Sequence, residues 1–144
     1  MDEKTGSGRT GKEISVDAVV ENISVVTDFV NEQLERYDCP MKALTQIDIA
    51  IDELFGNIVH YAYHPGSGSA TVRVEVTERM EVVITFIDQG VPFDPLSAAN
   101  PDVTLSAEER KTGGLGIYIV KKSMDEISYE YKEGSNILRI RKNL

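Results

Sequence analysis

The chain has 144 residues, 41% of them hydrophobic and 27% charged, which is an ordinary composition for one folded domain. Its 24 acidic and 15 basic residues give a net charge of −9, which argues against nucleic acid as the main partner, because phosphate neutralisation needs a basic face. The single cysteine, Cys39, excludes an intrachain disulfide and gives no support for a cysteine-based zinc site.

The first residues, MDEKTGSGRTGKE, lack the apolar core of a secretion signal. They predict a disordered tail over residues 1–12, followed by one domain over residues 13–144. No stretch approaches the ~20 apolar residues of a membrane span. We therefore expect a cytoplasmic protein that makes no contact with membranes.

The N-terminal part of the domain predicts a short edge strand and a first helix. The strand is EISV (Glu13–Val16), and Asp17 is a plausible N-cap for the helix. Cys39–Pro40 ends that helix, and Pro40 can open the next one. The apolar residues of the first helix recur at helical spacing and are Val19, Ile23, Val26, Phe29, Val30 and Leu34.

A second helix is predicted from about Met41 to Tyr63, with two distinct faces. Glu53, Asn57 and His60 fall at i, i+4 and i+7 and form a polar face. The other face is an apolar stripe for the core, formed by Ile47, Ile51, Leu54, Ile58 and Ala62.

The C-terminal half predicts two hairpins separated by a polar loop and a third helix. The loop covers Leu96–Lys111, and the helix opens at a glycine cluster. The order of elements predicts an α+β fold, a two-layer α/β sandwich with helices on one face of a mixed, mostly antiparallel sheet. The predicted strands are Ala70–Val76, Glu81–Ile87, Ile127–Lys132 and Asn136–Lys142, the last two joined by a turn at Gly134.

The polar face of the second helix carries groups suited to phosphate chemistry. Glu53 and Asn57 lie one turn apart, about 5–6 Å between Cβ atoms. A carboxylate can accept a proton from a hydroxyl, and an amide oxygen is a neutral ligand suited to Mg²⁺. The alternative is a solvated helix face. His60 reads as a surface or structural histidine, because no cysteine or histidine lies near it at metal spacing except His64.

Two further motifs have both a functional and a structural interpretation. Asp88, at the end of a central strand, either caps a turn or accepts a hydrogen bond from an adenine amino group, with Gly90 allowing close backbone approach. The cluster TGGLG precedes a helix and is either a flexible junction or a phosphate site made of backbone N–H groups, which Arg110 and Lys111 would assist. Its residues are Thr112, Gly113, Gly114, Leu115 and Gly116. No P-loop is present.

These motifs occur in a specific order: E-x-x-x-N on a helix, a hairpin ending in D-x-G, a polar loop, then G-G-x-G opening a helix. The order resembles the N box, first glycine box and second glycine box of the Bergerat-fold (GHKL) ATP-binding domain. IDELFGNIVHYAY, FIDQGVPFDP and ERKTGGLGIYIVKKSMDEISYE resemble the anti-sigma-factor serine/threonine kinases of bacteria. The resemblance covers about Glu13 to Leu144.

The resemblance implies a role for each motif. Glu53 would be the general base, Asn57 would coordinate the Mg²⁺ that bridges the ATP phosphates, and Asp88 would accept from adenine beside Gly90. The segment Leu96–Lys111 would be the ATP lid. The predicted nucleotide contacts after it are Arg110, Lys111, Thr112, Gly113, Gly114, Leu115 and Gly116.

One position departs from the family pattern. The first glycine box commonly reads D-x-G-x-G, but here it reads DQGVP, so Pro92 stands in place of the last glycine. Proline lacks an N–H and fixes φ, so this turn must follow a different path. We therefore assign no nucleotide contact to Val91 or Pro92.

The resemblance also implies partners. Members bind a sigma factor, phosphorylate a STAS-type anti-anti-sigma protein, and often form homodimers. The competing interpretations are a non-catalytic nucleotide- or sigma-binding module, a histidine-kinase fragment and a structural domain without a ligand. Glu53 favours the kinase, since a pure nucleotide binder needs no base. Both histidines follow Glu53 in the sequence, which argues against a histidine kinase.

Overall fold

The computed structural model describes residues 10–63, 66–97 and 114–144. Within these residues, three α-helices and five β-strands follow one another in the order β1-α1-α2-β2-β3-α3-β4-β5. A 3₁₀ turn over Glu35–Tyr37 follows α1, and a π-helical turn over Ile58–Ala62 extends α2. The bounds are β1 Thr10–Asp17, α1 Asn22–Leu34, α2 Met41–Asn57, β2 Ser69–Val76, β3 Glu81–Asp88, α3 Gly114–Ser123, β4 Glu126–Lys132 and β5 Ser135–Asn143.

The five strands form one sheet in the order β1-β2-β3-β5-β4, and every pairing between the described strands is antiparallel. Two hairpins were expected, and both are present. In the second, Glu133 and Gly134 both have positive φ, 52° and 81°, as a two-residue turn that matches the strand twist requires. The predicted α+β two-layer architecture is confirmed.

The core lies between the helices and one face of the sheet. Val72, Phe86 and Leu138 are register partners on three neighbouring strands, and all three are buried. The predicted apolar stripe of α2 and its π-helical extension packs on this face, with Ile47 and Ile51 fully buried. Burial of such side chains contributes about 1.5–3 kcal/mol each, which accounts for the preference for this pattern.

Three boundaries differ from the sequence prediction. β1 begins at Thr10 because it pairs with β2 along its whole length, so residues 10–12 belong to a strand and not to the tail. Asp17 does not cap α1; it ends β1, and its carbonyl accepts a hydrogen bond from the Asn22 side chain at 2.8 Å. The second helix does not continue unchanged to Tyr63, since it widens into a π-helical turn after Asn57.

In residues 10–63, 66–97 and 114–144, no helix combines the length and the apolar character needed to cross a bilayer.

Candidate active site

Asp88 ends β3 and is buried, with 4% of its surface exposed. Its Oδ1 accepts hydrogen bonds from the Gly90 backbone N–H at 2.8 Å and from Asn136 Nδ2 at 2.9 Å. Since both bonds end on Oδ1, Oδ2 is the oxygen left to accept from a further donor. A carboxylate fixed in this way is oriented before any ligand arrives.

Asn136, which the sequence analysis did not select, connects the elements around Asp88. Its Nδ2 also donates to the Val91 carbonyl at 2.9 Å, and its Oδ1 accepts from the Phe93 N–H at 3.1 Å and from the Tyr129 hydroxyl. With 5% exposure, the amide uses both of its donors and its acceptor inside the protein. Asn136 therefore holds the loop after β3 against β4 and β5.

That loop contains Pro92, and the structure shows the path it follows. The Val91 N–H donates to the Ala62 carbonyl at 2.9 Å, so it is engaged within the protein and is not directed at a ligand. The ring of Phe93 stacks on Tyr61, with centroids 5.1 Å apart and planes at 26°. The loop is thus anchored by the end of the second helix on one side and by Asn136 on the other.

Gly90 has a packing requirement that the sequence did not indicate. A Cβ at this position would lie 2.2 Å from the Ala62 carbonyl oxygen and 2.6 Å from the Ala62 Cβ. Real Cβ atoms do not approach that closely, and the backbone of a helical turn cannot yield cheaply. The glycine is needed for the loop to meet the π-helical turn, while its predicted contact with a nucleotide stays a prediction.

A pocket opens between the second helix and the sheet, and it brings Asn57 and Asp88 together. Its walls are mostly apolar, with the Asp88 carboxylate and the Asn136 amide as buried polar groups. Such an arrangement suits a flat, largely apolar ring system with one donor group to be recognised. The lining residues are Leu54, Asn57, Ile58, Ala62, Phe86, Asp88, Phe93, Pro95, Tyr129, Asn136 and Leu138.

Glu53 lies one helical turn before Asn57 and is partly buried. Burial raises the pKa of its carboxyl group, the neighbouring Asp52 raises it further, and the Asn57 side chain opposes the shift. Glu53 Oε2 is buried and has no hydrogen-bond partner among the described residues. A carboxylate with a raised pKa and a free oxygen has the properties of a general base.

The remaining polar groups of the second helix do not form a metal site of their own. His60 is exposed, and its ring lies edge-on to that of Tyr61 with the ring centroids 6.3 Å apart. This agrees with its interpretation as a surface histidine. Within the described residues, no group of three or more His, Cys, Asp or Glu side chains could hold a metal ion. A cation bound here would therefore need oxygens from a ligand besides those of the protein.

The glycine cluster is only partly described. Arg110, Lys111, Thr112 and Gly113 lie outside the described residues, as does most of the predicted lid. The described part of the cluster forms the first turn of α3, which begins at Gly114.

Within that turn, Leu115 is partly buried and Gly116 faces the Glu53 carboxylate. A Cβ on Gly116 would lie 2.0 Å from Glu53 Oε1. The first turn of α3 is therefore packed directly against the Glu53 carboxylate.

The residues that the sequence analysis missed had a detectable signal. Asn136 alternates with Leu138 and Ile140, so it occupies an inward position of β5 where an apolar residue is expected. Tyr129 likewise has its hydroxyl within the site because β4 pairs Tyr129 with Leu138. Finding these residues required the strand register, which places Asn136 directly opposite Asp88.

Sequence comparison identifies relatives among protein kinases. Residues 16–142 match the family described as histidine kinase-like ATPase domain. The serine/threonine-protein kinase BtrW of Bordetella bronchiseptica is 30% identical over 94 residues, which cover 65% of this chain and 66% of BtrW. The serine-protein kinase RsbW of Halalkalibacterium halodurans is 29% identical over 135 residues, 88% of this chain and 78% of that protein.

Structural comparison supports the fold. The crystal structure of the RsbU and RsbW domains of Rv1364c from Mycobacterium tuberculosis has a TM-score of 0.66 at 18% identity, covering 94% of this chain and 32% of that one. The prediction made from the three motifs is confirmed at the level of the family, and the named relatives are serine/threonine protein kinases. The chain belongs to the histidine kinase-like ATPase domain family.

Proposed function

We propose that the chain is an ATP-dependent protein serine/threonine kinase that also acts as an anti-sigma factor. The observation that carries the proposal is the position of Glu53. Its buried Oε2, which has no hydrogen-bond partner among the described residues, lies on the same helix as Asn57, one turn away, and Asn57 lines the pocket that contains Asp88. A nucleotide-binding module has no use for such a carboxylate, whose burial costs stability.

The residues of the pocket fit an adenine nucleotide. Asp88 Oδ2 would accept from the adenine amino group, and the apolar walls would cover the ring. The Asn57 amide oxygen would be the one protein ligand for Mg²⁺, since Mg²⁺ keeps waters and phosphate oxygens as its other ligands. Bound MgATP would supply the phosphoryl group to be transferred, with ADP as the leaving group.

The chain's own residues would act on the acceptor hydroxyl. Glu53 would take the proton from a serine or threonine hydroxyl as its oxygen becomes the nucleophile. The raised pKa of Glu53 makes this carboxylate a stronger base than an ordinary glutamate, and burial on helix α2 limits the orientations it can adopt. Catalysis of this kind depends mainly on positioning and charge, which the site can provide.

The proposed partners come from the resemblance to bacterial anti-sigma-factor kinases. The phosphorylated partner would be a STAS-type anti-anti-sigma protein, and the bound partner would be a sigma factor whose basic surface complements a chain of net charge −9. We further propose a homodimer working in the cytoplasm, with no direct contact to nucleic acid or membrane. The alternative is a module that binds nucleotide or sigma factor without catalysis.

Two measurements on the purified chain separate these functions. Calorimetric titration with a non-hydrolysable ATP analogue, with and without Mg²⁺, should give Mg²⁺-dependent binding. Transfer of labelled phosphate from ATP to purified STAS-domain proteins of the same genome should then occur with wild type and disappear with Glu53→Gln, while Glu53→Gln still binds the analogue. Binding without transfer to any of these proteins would favour the non-catalytic module, and no binding at millimolar analogue would refute both nucleotide functions.

A further inference from the structure

The carboxylate of Glu53 occupies the space that a side chain on Gly116 would need. A Cβ built on Gly116 would lie 2.0 Å from Oε1, 2.4 Å from Cδ and 3.0 Å from Oε2 of Glu53. All three carboxylate atoms are thus within 3.0 Å of one point on the first turn of α3. Helix α3 can pack this closely against the carboxylate only because position 116 has no side chain.

This contact restricts the orientation of Glu53. A glutamate side chain has several rotatable bonds, and ordering them has an entropic cost. Here the backbone of α3 lies against the carboxylate, so alternative positions on that side are blocked. Oε2 is buried without a partner among the described residues, and it keeps its lone pairs for a substrate.

We propose that Gly116 is a positioning residue for the phosphoryl transfer: it forms a socket that holds the Glu53 carboxylate with one oxygen free for the hydroxyl proton. The inference rests on the proposed function of Glu53 as the base. It differs from the role that the glycine box implies, in which the backbone N–H of Gly116 contacts phosphate. The N–H and the socket can be separated experimentally, because alanine keeps the N–H and fills the socket.

The first test is therefore Gly116→Ala, with kinetics and binding measured separately. The obstructing atoms belong to the far end of a flexible side chain, so the carboxylate can move aside and the fold should persist. A displacement of about 1 Å at a reacting group can cost about 100-fold in rate. We expect kcat to fall at least about tenfold, while the dissociation constant of the ATP analogue changes less than about threefold. Ile119→Ala, at an exposed position of the same helix, is the control.

The second test needs neither nucleotide nor substrate. Alanine is favoured over glycine within a helix, so Gly116→Ala should raise the melting temperature where nothing obstructs it. In a Glu53→Ala background the socket is empty, and we expect that increase. With Glu53 present, the displaced carboxylate should reduce or reverse it. The difference between the two shifts measures the coupling of Gly116 with Glu53.

The two tests separate the inference from the proposed function. Equal melting shifts in the two backgrounds would overturn the socket, whether or not the chain is a kinase. Should wild type transfer no phosphate, the proposed function fails, and the melting cycle still decides the contact. With an active wild type, the inference is overturned if Gly116→Ala is as fast as Ile119→Ala, or if its affinity for the analogue falls as much as its kcat.

Discussion

Replacement of Asn136 by alanine tests whether this side chain holds the site together. The change removes one hydrogen bond to the Asp88 carboxylate and three to neutral groups, those of Val91, Phe93 and Tyr129, besides a long contact of 3.5 Å between Nδ2 and the Gly90 carbonyl. A bond to a charged group contributes about 1.5–3 kcal/mol and a neutral one about 0.5–1.5 kcal/mol, so one charged and three neutral bonds sum to about 3–7.5 kcal/mol. Because the freed groups at the pocket mouth can bind water, we expect a net loss of about 2–4 kcal/mol in the free energy of unfolding.

The assay is thermal unfolding followed by circular dichroism, with Asn143→Ala as a matched control. Asn143 is exposed near the end of the same strand, and its side chain accepts a hydrogen bond from Arg141. At about 3 °C per kcal/mol for a chain of this size, Asn136→Ala should melt about 6–12 °C below wild type. The control should stay within about 2 °C, since surface substitutions cost little.

The same variant should also affect nucleotide binding. Without Asn136, the Asp88 carboxylate loses one of its two fixed donors and the loop through Val91 loses an anchor. We expect the affinity for the ATP analogue to fall at least about tenfold, or about 1.4 kcal/mol. The reasoning would be refuted if Asn136→Ala had the melting temperature of the Asn143→Ala control and the analogue affinity of wild type.

Three further substitutions address single groups of the site. The raised pKa of Glu53 means that the folded chain binds this proton more tightly than the unfolded chain does. The ionised carboxylate therefore lowers the free energy of unfolding at neutral pH, whereas the protonated carboxyl does not. In the absence of nucleotide, Glu53→Gln should therefore raise the melting temperature near pH 8, and this increase should vanish as the pH falls below about 4. An increase that does not depend on pH would contradict the reasoning. Asn57→Ala should remove the Mg²⁺ dependence of analogue affinity in calorimetry, and an unchanged Mg²⁺ titration would exclude Asn57 as a ligand. Gly90→Ala should cost about 1–3 kcal/mol in urea unfolding, because the new methyl group meets the Ala62 backbone, and a neutral effect would show that the loop does not need this approach.

The sequence predicted the fold well because periodicity reports which face of an element is buried. The stripe from Ile47 to Ala62 repeats at helical spacing, and all five of its residues are buried. The strict alternation in Ala70–Val76 likewise gave a half-buried strand, whose inward residues Val72 and Val74 are covered by the helices. Both signals are local, so neither needs knowledge of the partner elements.

The site was predicted less completely, because several of its residues act through contacts between distant segments. Gly90 was selected for a ligand, yet its closest neighbour is the Ala62 backbone, which only the tertiary structure brings near. The π-helical turn that presents Ala62 left no recognised mark in a helix of regular apolar spacing. Asn136 was overlooked since its meaning depends on lying opposite Asp88. Pairings of this kind follow from register, which a single sequence states only weakly.

The distribution of satisfied and unsatisfied polar groups separates the frame of the site from its reactive part. Asn136 uses its whole hydrogen-bonding capacity within the protein, so it can hold a loop but has nothing left for a ligand. Asp88 uses one carboxylate oxygen for that frame and keeps the other, and Glu53 keeps a buried oxygen without a partner in the described residues. Leaving the buried Glu53 oxygen unpaired costs free energy, which stability alone would not favour. Under the proposed function, that cost leaves a carboxylate oxygen of Glu53 fixed in advance for the substrate hydroxyl, as the second Asp88 oxygen would be for the nucleotide.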